Sequence, residues 1–269
     1  MRVDGKVWVV TGAGNGMGRE LVLALLDKGA RVAAVDRDPD ALSATADLAK
    51  TGGRLTSYVV DITDSAAVEA LPERVVADHG AVDGLLNNAG IIQPFDPVAD
   101  LTDAAVQRVL SVNLGGTIAM SRAFLPHLLL RPEAHLANVS SMGGFFPFPG
   151  QTIYGASKAG VKLFTEGLYA ELLGTPVHVS VIFPGAVQTD ITANSGVATP
   201  VASAEDSKVP MTSPAKAAQI MIRGIERNRL HIHVGLDAKL MSIAIKVAPR
   251  SAIRLVKAAM ARQVVSEPV

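Results

Sequence analysis

The chain has 269 residues, 49% of them apolar, 19% charged and 4% aromatic, with 25 basic residues matched by 25 acidic ones and no cysteine. That length holds one large α/β core or two small domains. Charge balance excludes a broad nucleic-acid surface, which needs clustered Lys and Arg to displace counterions; without cysteine there is no disulfide, thiolate zinc site or cysteine nucleophile, and a reducing cytoplasm fits.

In chain order, Met1 to Trp8 lacks a long apolar stretch, so no signal peptide is expected. Lys6 to Thr11 is an apolar, β-branched run, and Gly16 to Lys28 carries apolar residues at helical spacing, so a strand feeds a helix. The same alternation recurs, with strand-like runs at 31–35, 55–60, 82–87, 136–140, 177–183 and 231–234. Seven strands joined by helical crossovers predict a parallel sheet covered on both faces. Strands buried that way are apolar on both sides, as VWVV, VAAV and VSVIF are. Ala134 to Ser157 is free of charge, but Pro147, Pro149 and several glycines break it, so it is no membrane span. No repeat and no Pro/Gly/Ser linker interrupts the pattern, and residues 1–237 read as one domain.

Two stretches depart from this rhythm. Residues 188–213 are rich in Thr, Asn, Ser, Gly and Pro without periodicity, which suits a substrate lid or a surface insertion. Residues 238–269 form a basic extension in which Lys239, Lys246, Arg250, Arg254, Lys257 and Arg262 alternate with apolar residues, as in an amphipathic helix interrupted at Pro249. Such a segment can lie on an anionic membrane, cover a neighbouring subunit or cap the pocket.

Chemistry first shows in Thr11 to Gly18, TGAGNGMG, where the first strand meets the first helix. Glycines there permit a tight turn and let backbone amides at a helix N-terminus approach a pyrophosphate. Asp36, at the end of the second strand, can accept both ribose hydroxyls of an adenosine and repel a 2′-phosphate. A structural turn with an unrelated surface acid is the alternative. Arg37 pulls the other way, because guanidinium binds phosphate, yet the Asp36 charge sits where that phosphate would go. NAD is therefore expected in preference to NADP. Tyr154 and Lys158 are one helical turn apart, and an ammonium near a phenol lowers its pKa towards the range that acid/base catalysis needs. Alone, this pair is equally well a bland amphipathic face.

Together these motifs make the sequence resemble the short-chain dehydrogenase/reductase family from about Lys6 to Asp190. TGAGNGMG is similar to the family's TGxxxGxG loop, although Met17 stands where many relatives carry a branched aliphatic residue. Asp61 and Ile62 resemble the pair that contacts adenine. NNAG, with Asn88, Ala89 and Gly90, resembles the element beside the cofactor, and Asn113 in SVNLGG the helix asparagine of the catalytic set. NVSS followed by YGASK supplies Ser141, Tyr154 and Lys158, the offset selecting Ser141 over Ser140. Pro184, Gly185, Val187 and Thr189 resemble the segment that touches the nicotinamide carboxamide.

The resemblance implies a Rossmann-type doubly wound α/β fold with a seven-stranded parallel sheet. It implies an NAD(H)-dependent oxidoreductase that interconverts a secondary alcohol and its carbonyl compound, with Tyr154 as acid/base. Ser141 would polarise the carbonyl oxygen, Lys158 would lower the Tyr154 pKa and hold the ribose, and Asn113 would hold a relay water through its main chain. Gly12, Asn15, Gly16, Met17 and Gly18 would cradle the pyrophosphate. No metal is implied, and a homodimer or homotetramer is. The loop after Ser141, with Gly143, Phe145, Phe146 and Phe148, predicts an apolar substrate wall or a subunit contact. His135, His178, His231 and His233 lack metal-ligand spacing and read as structural, as does Asn138. Two other functions stay open: an NADPH-dependent carbonyl or 3-oxoacyl reductase, and a catalytically idle dinucleotide-binding scaffold or membrane-associated sensor. Sugar-nucleotide epimerases share the loop and the YxxxK pair but need a larger C-terminal substrate domain.

Overall fold

Short β-branched runs form seven strands: β1 (Val7–Thr11), β2 (Arg31–Asp36), β3 (Leu55–Val59), β4 (Gly84–Asn87), β5 (Ala134–Val139), β6 (Val177–Pro184) and β7 (His231–Val234). In the computed structural model, which describes residues 1–49, 53–189, 191–197 and 211–264, they make one parallel sheet ordered β3-β2-β1-β4-β5-β6-β7. Val9 pairs with Ala33 on one side and Leu85 on the other, so β1 is central and the winding direction reverses beside it.

The connections are helical: α1 (Gly16–Asp27), α2 (Pro39–Ala49), α3 (Ser65–His79), α4 (Asp103–Leu110), α5 (Thr117–Leu129), α6 (Thr152–Glu171), α7 (Ile191–Asn194), α8 (Pro214–Glu226), α9 (Leu236–Val247) and α10 (Pro249–Val264). Because side chains alternate along a strand, the inner strands feed two cores. Trp8, Val10, Val32 and Ala34 pack with Leu21, Leu25 and Met221 of α1 and α8. Val7, Val9, Ala33 and Val35 pack with Leu71, Phe124 and Leu168 of α3, α5 and α6. Local signals fix the ends: the Asp64 carboxylate accepts from the Ala66 and Ala67 amides at the start of α3, and Gly80 closes that helix at φ 82°.

The doubly wound parallel sheet is as expected, with strand bounds shifted by a residue or two. β3 departs from the expectation that strands are apolar and buried on both sides, since as an edge strand it buries Tyr58 and leaves Val59 exposed. Of the expected lid at 188–213, the described parts are α7 and a bridge between Val187 and Thr212; residues 190 and 198–210 lie outside the described residues. In the C-terminal segment, α9 starts at Leu236 and buries Ala238 completely. The expected interruption falls at Ala248, just before Pro249. Residues 265–269 also lie outside the described residues.

Candidate active site

Reversal of the winding beside β1 opens a crevice at the carboxyl ends of the strands, where open α/β sheets bind ligands. A cavity of about 420 Å³ lies there, lined by Gly12, Asn15, Gly16 and Met17 from the glycine loop and the start of α1. Its walls are Asp36 and Arg37 after β2, Asp61 and Ile62 after β3, Asn88, Ala89 and Gly90 after β4, and Thr189. Gly12 and Gly16 adopt φ of 67° and 51°, and a Cβ on Gly12 would lie 2.9 Å from the Ala89 Cα. Only glycine fits that turn. Gly18 is not among the residues that line the cavity. A side chain there would strike the Gly12 carbonyl, so Gly18 sets the approach of helix to strand.

The loop's shape is held by residues the motif does not advertise. Arg19 Nη2 donates to the Gly14 carbonyl at 2.6 Å, and the Thr45 hydroxyl lies 3.1 Å from the Ala13 carbonyl. Asn15 precedes α1 without capping it through its side chain, so the first-turn amides of α1 keep their free N–H groups at the cavity. Asp36 Oδ2 accepts the Gly14 amide at 2.9 Å, which fixes the carboxylate at the cavity edge. Burial alone would raise the Asp61 carboxyl, but two hydrogen bonds from Thr63 and the nearby Arg37 charge outweigh it and hold the group below its usual range. Asn88 Oδ1 is buried at the same cavity without a partner among the described residues. Amides at a helix start, a glycine cradle, a fixed acid and an unpaired acceptor all fit a dinucleotide.

Beyond Gly90 the material changes to side chains. Ser141 follows β5, and its Oγ accepts the Gly143 amide at 3.0 Å. A Cβ placed on Gly143 would lie 3.2 Å from Tyr154 Cε1 and 3.4 Å from Ser141 Oγ, so the two side chains face each other across that glycine. Ser140 is not the alternative polariser: its hydroxyl is buried and donates to the Lys158 carbonyl at 2.7 Å. Burial pushes the Tyr154 phenol above its ordinary value, and the Ser141 hydroxyl opposes this.

Lys158 is 4% exposed, and burial lowers its ammonium to about 8. Its Nζ donates to the Val139 carbonyl at 3.0 Å and sits beside Gly90. In this arrangement the ammonium is turned to the end of β5, and the Tyr154 shift is set by burial against the opposing Ser141 hydroxyl.

Asn113 lies in a π-helical turn, Ser111–Gly116, that distorts the path between α4 and α5. Its amide is fully engaged: Oδ1 accepts the Ile91 amide at 2.8 Å, and Nδ2 donates to the Ile91 carbonyl and to Ser157 Oγ. Ser157 in turn donates to the Tyr154 carbonyl, which ties the π-turn to the tyrosine's own helix. Gln93 has no motif signal at all. It is 1% exposed, and its Oε1 accepts the Ile153 and Tyr154 amides at 2.7 and 3.0 Å, capping the first turn of α6.

Several expected contacts fall elsewhere. Phe146 has no exposure and packs on Phe148, while Phe145 sets its edge against Phe183, so neither ring lines the cavity. Pro184 pairs with Val234 at the end of β6, and Val187 bridges to Thr212. The Gly185 amide donates to Val234, and the next amide, of Ala186, donates to Asp237 Oδ2 at 2.6 Å. Pro184, Gly185 and Val187, like Tyr154 and Lys158, are not among the residues that line this cavity. His135 is buried against Ser180, His231 meets Glu166, and Asn138 links Asn87 to Thr165. No cluster of three potential metal ligands occurs among the described residues.

A helix-start dinucleotide cradle beside a Ser/Tyr/Lys set is the architecture of a nicotinamide-dependent oxidoreductase. Residues 6–199 match the family model described as short chain dehydrogenase. The candidate oxidoreductase SadH of Mycobacterium tuberculosis is 35% identical over 268 residues, covering 96% of each chain. A short chain dehydrogenase of Burkholderia cenocepacia solved with NADP superposes with a TM-score of 0.80 at 28% identity, covering 95% of this chain and 99% of the other. A relative from Burkholderia phymatum solved with NAD gives 0.80 at 27%, covering 100% and 99%. The chain belongs to the short-chain dehydrogenase/reductase family, oxidoreductases that act on CH–OH groups with NAD or NADP as acceptor.

Proposed function

We propose that this enzyme interconverts an apolar secondary alcohol and its ketone with NAD(H), using Tyr154 as the acid/base. The observation that carries this reading is the pairing of Ser141 Oγ and the Tyr154 ring across Gly143, next to a cavity shaped for a dinucleotide. Bound nicotinamide supplies the hydride acceptor in oxidation and the donor in reduction. In oxidation the alcohol hydroxyl gives its proton to the Tyr154 phenolate as hydride leaves the carbinol carbon. In reduction the Tyr154 phenol returns a proton to the oxygen, and the Ser141 hydroxyl stabilises the charge that grows there.

Lys158 takes two positions in this reading. Its ammonium is held by the Val139 carbonyl and lies near Gly90; the ribose of a bound nicotinamide would offer it a second acceptor, and the charge would then bear on Tyr154 and lower its pKa. The Asn113 carbonyl, which already accepts from Thr117 Oγ1 at 2.8 Å, holds a relay water at the π-turn through its second lone pair.

Asp36 supports NAD because its carboxylate is fixed where a 2′-phosphate would have to sit. Exposed Arg37 at the same cavity favours the second reading, an NADPH-dependent carbonyl or 3-oxoacyl reductase, as does the NADP-bound relative. The charge balance supports NAD, since Arg37 lies among Asp36, Asp38 and Asp61. An apolar substrate is supported by Met142, Phe145 and Phe148, which follow Ser141 in the chain, and Ile153, which precedes Tyr154, all partly exposed. Assembly into a homodimer or homotetramer belongs to the same proposal, on the family's habit.

Steady-state turnover on a panel of apolar and short polar alcohols and ketones, with NAD and NADP compared, is the test. NAD(H) with bulky apolar substrates should give the highest kcat/KM. Tyr154→Phe should lower kcat about 10²- to 10⁴-fold, the range of general acid/base catalysis, with dinucleotide affinity retained. Preference for NADP, or an active Tyr154→Phe variant, overturns the corresponding half of the reading.

A further inference from the structure

We infer that α9 and α10 dock this enzyme onto an anionic lipid surface through an outward-facing apolar stripe. On a helix turning about 100° per residue, Leu236, Leu240, Ile243 and Val247 fall within a sector of about 60°. All four point to solvent, with 78%, 63%, 54% and 79% of their surface exposed. A surface helix normally turns its apolar face to the core. Here the inward side is made by fully buried Ala238 with partly buried Met241 and Ile245, and four further large apolar side chains are left outside.

The charges around the stripe select the occupant. Lys239 and Lys246 are exposed along one border, and Arg250, Arg254 and Lys257 continue the exposed positive charge onto α10, beside Leu255 at 70% exposure. Between residues 236 and 258 the single acid is Asp237, and its carboxylate is turned inward onto the Ala186 amide. Apolar side chains rimmed by cations match the boundary between acyl chains and anionic headgroups. A two-fold contact between copies of this chain would bring the same cations against each other, so the charge pattern disfavours that occupant.

The stripe is rigidly placed. α9 packs against β7 and against the Met142–Gly144 turn, and Asp237 fastens its first turn to the end of β6. A surface docked there lies beside the loop that carries Ser141. Docking itself does not depend on which alcohol the enzyme takes.

The test is flotation of the full chain with vesicles of phosphatidylcholine alone and with vesicles containing one part phosphatidylglycerol to three parts phosphatidylcholine. The full chain should rise with the anionic vesicles, stay behind with the neutral ones and be released by molar salt. Leu240→Glu with Ile243→Glu should weaken vesicle binding by about tenfold or more. The same pair should leave the melting temperature and dinucleotide affinity unchanged, since both side chains are exposed. Lys239→Glu with Lys246→Glu should weaken binding severalfold without touching the stripe. No flotation with anionic vesicles, or equal flotation of the Leu240/Ile243 variant, overturns the inference. So does concentration-dependent self-association that Leu240→Glu abolishes while flotation is absent, which would make the stripe a contact between copies.

Discussion

On the side of the crevice formed by β1, β2 and α1, recognition is made by backbone, whereas on the side formed by β5 and α6 it is made by side chains. The first side offers free helix-start amides and glycines whose substitution would bring a Cβ into the Ala89 or Gly12 backbone. The second offers Ser141, Tyr154 and Lys158, each held by partners from other elements: the Gly143 amide, the Gln93-capped first turn and the Val139 carbonyl. A backbone site tolerates no added atom, and a side-chain site tolerates no lost one. The two sides meet at Gly90, where a Cβ would lie 3.0 Å from Lys158 Nζ.

After Tyr154→Phe, the largest effect that separates the sides is expected from Ser141→Ala. Removing one donor to a developing oxyanion lowers kcat about 10²- to 10³-fold. Dinucleotide affinity, measured by nicotinamide fluorescence or calorimetry, should not move, because Ser141 is not part of the cradle. A parallel loss of affinity would show that the two sides are one cooperative unit.

Next is the pH dependence of the unliganded fold. Lys158 falls from 10.5 to about 8 on folding because burial disfavours its charge. Between those values the unfolded chain holds a proton that the folded chain does not, so stability rises with pH across that window and the penalty is complete below pH 8. A shift of this size corresponds to about 3 kcal/mol. Denaturant melts from pH 7 to 11 should show this rise in the wild-type chain and its absence in Lys158→Met. Equal slopes would mean that the ammonium is already compensated inside the protein.

How much of this contrast the sequence carries depends on which side is considered. Backbone sites leave glycines at fixed intervals, so TGAGNGMG, Asp36 and NNAG were readable as a cradle, and the alternation of runs gave all seven strands in order. Side-chain sites leave only the reacting groups. Ser141, Tyr154 and Lys158 are legible by offset, but the Val139 carbonyl that holds Lys158 carries no sequence mark. The Phe145, Phe146 and Phe148 cluster is visible as composition, yet only packing shows that Phe146 is the ring fully buried, against Phe148, while Phe145 stays partly exposed with its edge on Phe183. The basic rhythm of the C-terminal helices was visible too, but not that Leu240 and Ile243 face outward, because periodicity defines a stripe without saying what lies opposite it.

On the backbone side, Asp36→Ala should produce a smaller change than Ser141→Ala. Loss of the carboxylate removes both the ribose acceptor and the repulsion of a 2′-phosphate, leaving Arg37 to attract it. The ratio of kcat/KM for NAD over NADP should fall by about tenfold to a hundredfold, on the order of one good charged hydrogen bond. An unchanged ratio would remove Asp36 from cofactor selection.

The smallest and most discriminating effect concerns Gln93, which belongs to neither motif but supports the side-chain half. Gln93→Leu leaves the partly buried Ile153 and Tyr154 amides without that acceptor, a loss of about 1–3 kcal/mol of stability. It should lower kcat severalfold through the looser first turn of α6, with dinucleotide affinity unchanged. Gln93→Glu separates capping from mere packing. It keeps an oxygen for both amides, gives up only Nε2, which has no partner among the described residues, and places negative charge at a helix N-terminus, where the dipole favours it. If capping positions Tyr154, the Glu variant should recover most of kcat while Leu does not. Equal loss in both variants would mean that the amide side chain acts only by filling space.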